Sequence, residues 1–362
     1  MNGNSFIKEI GRSYIVSSFT PAAFFIYIGA ILFRNFIPHT FLKELNEAKS
    51  LFGSQWLITL LFVFWVAFGL YSSVDTIVKL FEGYYFPDRL TRWMVKRQLK
   101  RHQKRNKIYP QIKKFINKKP NKNRSKTLQQ LRGRALSEMQ DLEINGPIDE
   151  DFLLPTRLGN VLRANERYPW ERYRLEGITI WPRLFHVLPQ QFIRDLEEKN
   201  NHYVFLLNSS LLAFAIGILS LGAAIYRLIT ITLIKYIDSP ILYWLLHYFS
   251  NEYYVISPYV YMIIGPLFIF VSYLLYRIAA NAAIDYGLFV RAAFDLYRFD
   301  LLKKLKQQLP LTTEEEKKVW EDISEFFIAN NRLRFNEFNF VYNHSEKAEN
   351  SESSNEKIKF NN

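Results

Sequence analysis

The stretch YVFLLNSSLLAFAIGILSLGAAIY, residues 203–226, holds no charged side chain and stops at Arg227. About 20 mainly apolar residues are enough for a helix to cross a hydrocarbon core of about 30 Å. Lipid offers no hydrogen-bond partner to an open backbone, so such a stretch must be helical or covered by protein. Three other blocks have the same character. Residues 14–33 lie between Arg12 and Arg34, residues 55–74 end at Asp75, and residues 254–276 stop at Arg277. One such block alone is compatible with a buried core helix; four of full length predict four membrane spans. The first follows Lys8 and Arg12, but its apolar run is too long for a signal core and lacks a small-x-small cleavage pattern. It is expected to be retained.

Of the 362 residues, 49% are hydrophobic and 22% charged, and the near-neutral mean hydropathy of −0.10 hides how strongly the apolar residues are bunched. This distribution excludes a simple soluble globular protein. Absence of cysteine excludes disulfides, thiolate metal sites and cysteine nucleophiles. Residues 76–202 contain 27 Lys+Arg and 14 Asp+Glu, a surplus of +13 that equals the surplus of the whole chain. The segments 34–54 and 228–253 are nearly neutral. Lysine and arginine mark the cytoplasmic side, so with four spans both termini and the basic middle segment are expected in the cytoplasm. Aromatic residues of 236–254, among them Tyr243, Trp244 and Tyr248, suit the opposite interface.

The fold class expected is therefore all-α: a polytopic membrane protein with four transmembrane helices and a mainly helical basic cytoplasmic domain. The division is a first pair of spans in 1–75, the basic domain in 76–202, a second pair of spans in 203–280, cytoplasmic helices in 281–342 and a disordered tail in 343–362. Within the basic domain, residues 86–135 carry 18 Lys+Arg against the single acid Asp88. Leu90, Trp93, Met94 and Arg97 fall at i, i+3, i+4 and i+7, the spacing of a basic amphipathic helix. Pro110 and Pro120 predict a break after it, and a helical pattern resumes over 128–143. Past the fourth span, Ile278, Ala282, Leu288, Ala292, Leu296 and Phe299 extend a helical pattern to Leu305. Thr313 with Glu316 has the form of a capping box opening a last helix, 314–330.

Residues 156–173 read Thr-Arg-Leu-Gly-Asn-Val-Leu-Arg-Ala-Asn-Glu-Arg-Tyr-Pro-Trp-Glu-Arg-Tyr, and 181–184 read Trp-Pro-Arg-Leu. This segment resembles a family of uncharacterised bacterial four-span inner-membrane proteins. The resemblance covers roughly 30 residues and the layout of spans around them. It implies a bacterial inner-membrane location and carries no reaction with it.

Chemistry is sparse. The six histidines stand alone, and no metal-spaced pair, glycine-rich phosphate loop or nucleophile elbow occurs. Neither Asp149–Glu150–Asp151 nor Glu314–Glu315–Glu316 forms a convincing acid–base pair, so no enzyme and no cofactor is expected. The spans hold no ionisable group that would mark an ion path, but Ser17, Ser18, Asn208, Ser209 and Ser210 are candidates to line a pore. They equally suit hydrogen bonding between helices. Lys96, Arg97, Lys100, Arg101, Lys104, Arg105, Lys113 and Lys114, with Arg157, Arg163 and Arg167, are candidates to bind a polyanion through phosphate contacts. The arginines of 157–172 equally suit holding a compact subdomain together.

The functional expectation is an oligomeric inner-membrane effector, a ligand-gated ion channel or pore. Its cytoplasmic domain would sense a nucleotide or nucleic acid, in the manner of membrane effectors of antiphage defence. The alternative is a non-conducting scaffold whose basic domain binds anionic membrane lipid or recruits a partner protein encoded nearby.

Overall fold

A computed structural model describes residues 12–36, 55–117, 133, 144–236 and 256–328. Every regular element among them is helical. A π-helical turn, Ile15–Phe19, leads into α1 (Thr20–Phe33). There follow α2 (Gln55–Ser72), α3 (Val74–Glu82), α4 (Asp88–Asn117), α5 (Arg157–Tyr173), α6 (Gly177–Phe185), α7 (Gln190–Tyr236), α8 (Pro258–Lys304) and α9 (Thr313–Ile328). Among the described residues, three helical stretches are long and apolar enough to cross a membrane: Arg12–Phe33, Gln190–Thr232 and Pro258–Lys304.

The block 55–74 behaves differently from a straight span. Its helix breaks at Ser73, and Leu57–Ser72 and Val74–Glu82 meet at a bend of 60°, so a fourth crossing exists only if the bent pair is one span. Two serines after a glycine explain the break. Ser72 Oγ donates to the Gly69 carbonyl at 3.1 Å, and Ser73 leaves the helical region at φ −102°, ψ 11°. Hydroxyls that bond back to the preceding turn compete with the helix and bend it.

The chain divides into two compact units, and α4, α5, α7 and α8 each contribute residues to both. The first comprises Met1–Gln98, Leu154–Gly159 and Glu197–Tyr286. Its helices turn large apolar side chains outward, including Phe24, Leu61, Trp65, Phe68, Ile218 and Ile263, and bury Ser17, Ser18, Asn208, Ser210, Ser220 and Ser272. Close helix approach comes from glycine. A Cβ on Gly217 would sit 3.0 Å from the Gly265 carbonyl oxygen, and one on Gly265 would sit 3.2 Å from that of Gly217. Small residues at a crossing are the usual way for membrane helices to gain packing contact.

The second unit comprises Leu99–Leu153, Asn160–Leu196 and Gly287–Asn362. Here large apolar side chains are gathered inside. Leu175, Ile180, Leu184, Phe294, Leu302 and Trp320 form a buried core from α6, α8 and α9 and the segment before α6. Burying each such side chain contributes roughly 1.5–3 kcal/mol. Gly287 lets α8 approach α5, because a Cβ there would collide with the Asn165 side chain.

Two local expectations change. α4 continues through Pro110 to Asn117. The Pro110 ring is exposed, and lysine, arginine and glutamine around it favour helix enough to carry the chain past the missing N–H. At α9 the cap lies one residue earlier than Thr313–Glu316. Glu315 N–H donates to Thr312 Oγ1 at 3.2 Å, while Glu315 Oε2 accepts from Leu311 N–H at 2.9 Å. Glu316 is thereby left for a different partner. The expected helix over 128–143, the outer loop 236–254 and the tail 343–362 fall wholly or almost wholly outside the described residues.

Candidate functional site

The proposed polyanion ligands fall into two physically different groups. α4 is amphipathic: its packed face is marked by His102, which is 5% exposed. The imidazole Nε2 lies 3.0 Å from the Pro147 carbonyl oxygen and Nδ1 lies 3.5 Å from Glu150 Oε1. On the other face, Lys96 and Arg97 in the first unit are exposed, as are Lys100, Arg101, Lys104 and Lys114 in the second. Spacings of three and four residues keep cations on one side of a helix. Among the described residues, none of these six is paired with a carboxylate. Arg105 and Lys113 occupy the same helix.

The α5 arginines are engaged within the protein. Arg163 Nη1 lies 3.3 Å from Glu166 Oε2, and Arg167 Nε lies 3.8 Å from Glu171 Oε1. The Arg167 guanidinium also covers the Phe152 ring at 3.5 Å from its centre, and Arg157 is half-buried at the start of the helix. Burial pushes both the Glu166 and Glu171 carboxyls up, opposed by Arg163 and Arg167 respectively. These contacts fit arginines that brace a fold.

A network the sequence did not suggest lies in the same unit. The Asp295 carboxylate accepts hydrogen bonds from the Tyr168 hydroxyl, at 3.0 Å to each oxygen, and from the Tyr173 hydroxyl at 2.6 Å. Burial, and then the adjacent Asp295, push both phenols above their ordinary value. Arg298 donates to Glu316 Oε1 at 2.5 Å and to the Asp295 carbonyl, and it covers the Tyr173 ring at 4.2 Å. Arg291 Nε donates to Asn165 Oδ1 at 2.6 Å, and its guanidinium covers Tyr168 at 4.8 Å. Only the i, i+3 pair of Asp295 and Arg298 was visible locally. Their partners are more than a hundred residues away or on another helix.

The five pore candidates are all buried within one chain. Pro21 has no N–H to return to the Ser17 carbonyl in the α-helical register. Asn208 Nδ2 donates to that carbonyl at 2.8 Å and lies 3.3 Å from Ser18 Oγ. Ser210 and Ser272 bond reciprocally: each hydroxyl donates to the other's carbonyl, at 2.9 and 2.8 Å. Ser209 is buried beside them in sequence. Among the described residues, Asn208 Oδ1 has no hydrogen-bond partner. Among the described residues, no group of three or more His, Asp or Glu side chains is placed to hold a metal ion.

Comparison with family models, with curated proteins and with solved structures found no match. The functional reading therefore rests on the side chains themselves.

Proposed function

We propose that the chain is a bacterial inner-membrane protein, with both termini cytoplasmic, that anchors a polyanion-binding helix to the membrane and does not itself conduct. The observation that carries this reading is the exposed row Lys100, Arg101, Lys104 and Lys114 on α4, free of carboxylate partners among the described residues. Helical cations left unneutralised attract phosphate and release its counterions, an affinity that falls steeply with salt. The hydrogen bonds of Asn208, Ser210 and Ser272 support the non-conducting part, because those groups are consumed in joining helices.

Fluorescence anisotropy with the detergent-solubilised full chain and a labelled oligonucleotide tests it. Replacing Lys100, Arg101 and Lys104 together by Gln should weaken binding about a hundredfold, by roughly 1 kcal/mol for each lost phosphate contact, and flatten the salt slope. No binding at low salt would overturn the proposal.

A second reading, an oligomeric pore gated by the same helix, is favoured by one observation: the partnerless Asn208 Oδ1. A buried polar atom without a partner is costly and marks functional positions in membranes. Loss of membrane potential in induced cells, relieved by Asn208→Leu, would support the pore; an undisturbed potential would leave the anchor.

A further inference from the structure

The first unit carries a group of exposed side chains that neither a bilayer interior nor water suits well. At the junction of α3 and α4, Tyr84 and Tyr85 are 51% and 57% exposed, and in the first two turns of α4 Leu90 and Trp93 are 41% and 59% exposed. Arg89, Arg92, Lys96 and Arg97, all exposed, alternate with them, and Asp88 is the one acid between Gly83 and Gln98. Arg97 stands 5.9 Å from the centre of the Trp93 ring.

This junction is a built feature. α3 leaves the line of α2 at 60° and buries Ile77, while Phe81 stacks on Tyr276 at 5.8 Å. Its C-terminus closes with Tyr84 N–H donating to the Lys79 carbonyl at 3.1 Å across Gly83, which takes φ +97°. That is the left-handed conformation glycine supplies at a helix end. A Cβ at Gly83 would also run into the Pro155 ring, and Thr156 Oγ1 donates to the Glu82 carbonyl at 3.1 Å. The turn that presents the two tyrosines is therefore held in place by the 154–159 strap.

We propose that this ledge, Tyr84, Tyr85, Leu90 and Trp93 with Arg89 and Arg92, rests in the headgroup layer of the membrane and binds anionic phospholipid. Tyrosine and tryptophan have an apolar body and a polar tip and settle at that depth. Guanidinium groups meet lipid phosphate with forked hydrogen bonds. A helix that bends away from a span by 60° delivers the following residues toward the plane of the interface. Charge complementarity fixes the lipid class: with one acid among its cations, the ledge matches a negatively charged surface. The inference rests on the membrane reading of α2 and is independent of whether the later turns of α4 bind nucleic acid.

Because the natural chain has no cysteine, single labels test it directly. Trp93→Cys and, as a control on α2, Trp65→Cys are labelled with an environment-sensitive dye in the full chain reconstituted in vesicles. Quenching is read with lipids carrying a nitroxide at the headgroup or at the tail end. The label at 93 should be quenched by the headgroup nitroxide, at least about twofold more in phosphatidylglycerol than in phosphatidylcholine, and the difference should vanish with Arg89→Gln/Arg92→Gln. The label at 65 should respond to the tail nitroxide in both. Quenching at 65 without quenching at 93 would overturn the ledge and leave the membrane reading standing. No quenching at either site would overturn both. Shielding of the label at 93 by oligonucleotide rather than by lipid would assign these turns to nucleic acid and overturn the proposal.

Discussion

The two units solve the same folding problem with different surfaces. In the first, hydroxyls and an amide are buried alongside Phe25, Leu207, Ile216 and Tyr261, and many more rings and aliphatic chains face out; in the second, Trp320, Phe294 and Leu302 lie inside and charge faces out. Water explains only the second. An apolar solvent around the first removes the reward for burying leucine and leaves packing and hydrogen bonds between helices to hold it. Two tryptophans make the sharpest test. Trp320 is 0% exposed in its core and Trp65 is 74% exposed on α2. Trp320→Ala should cost about 3–5 kcal/mol in denaturant unfolding of the reconstituted chain, whereas Trp65→Ala should change stability by under about 0.5 kcal/mol, because acyl chains replace its contacts. Equal losses would break the contrast.

Next in size is the Arg298–Glu316 pair, whose side chains are 14% and 8% exposed. Arg298→Met should destabilise the second unit by about 3 kcal/mol, since it strands a buried carboxylate. Hydrogen exchange of α9 reads that loss. In the first unit, Asn208→Leu should cost about 1 kcal/mol or less, the scale of hydrogen bonds between membrane helices. Losing the partnerless Oδ1 offsets part of even that. A loss as large as that of Arg298→Met would show that the two interiors are not so different.

The smallest expected effect is with pH. Tyr168 and Tyr173 have phenols raised above their ordinary value. Their neutral forms are favoured in the folded state, so the stability they add is complete below about pH 10, where an unfolded tyrosine titrates, and is lost above it. Thermal unfolding across that range should show a shallower alkaline decline for Tyr168→Phe than for the natural chain.

The apolar blocks were legible because composition alone decides whether a twenty-residue helix suits lipid. Their edges were not. α7 begins at Gln190, well before the charge-free stretch, because helix formation continues through the charged residues that precede it. The break at Ser73 depends on a hydroxyl turning back to Gly69, which the sequence permits without requiring. Exposed cations on α4 followed from periodicity. The engagement of Arg163 and Arg167 was half visible, since Glu166 and Glu171 stand three and four residues on, but the Phe152 ring under Arg167 was not. Asp295 and its two tyrosines, separated by more than 120 residues, were beyond any local pattern.

The bond between Asn208 and the Ser17 carbonyl joins residues 191 positions apart. A ribosome making this protein releases the Pro21 segment long before it has synthesised the amide that completes it. For that interval the Ser17 carbonyl is without the side-chain donor that the finished fold gives it. The N-terminal helix thus waits for a partner from a much later part of the chain.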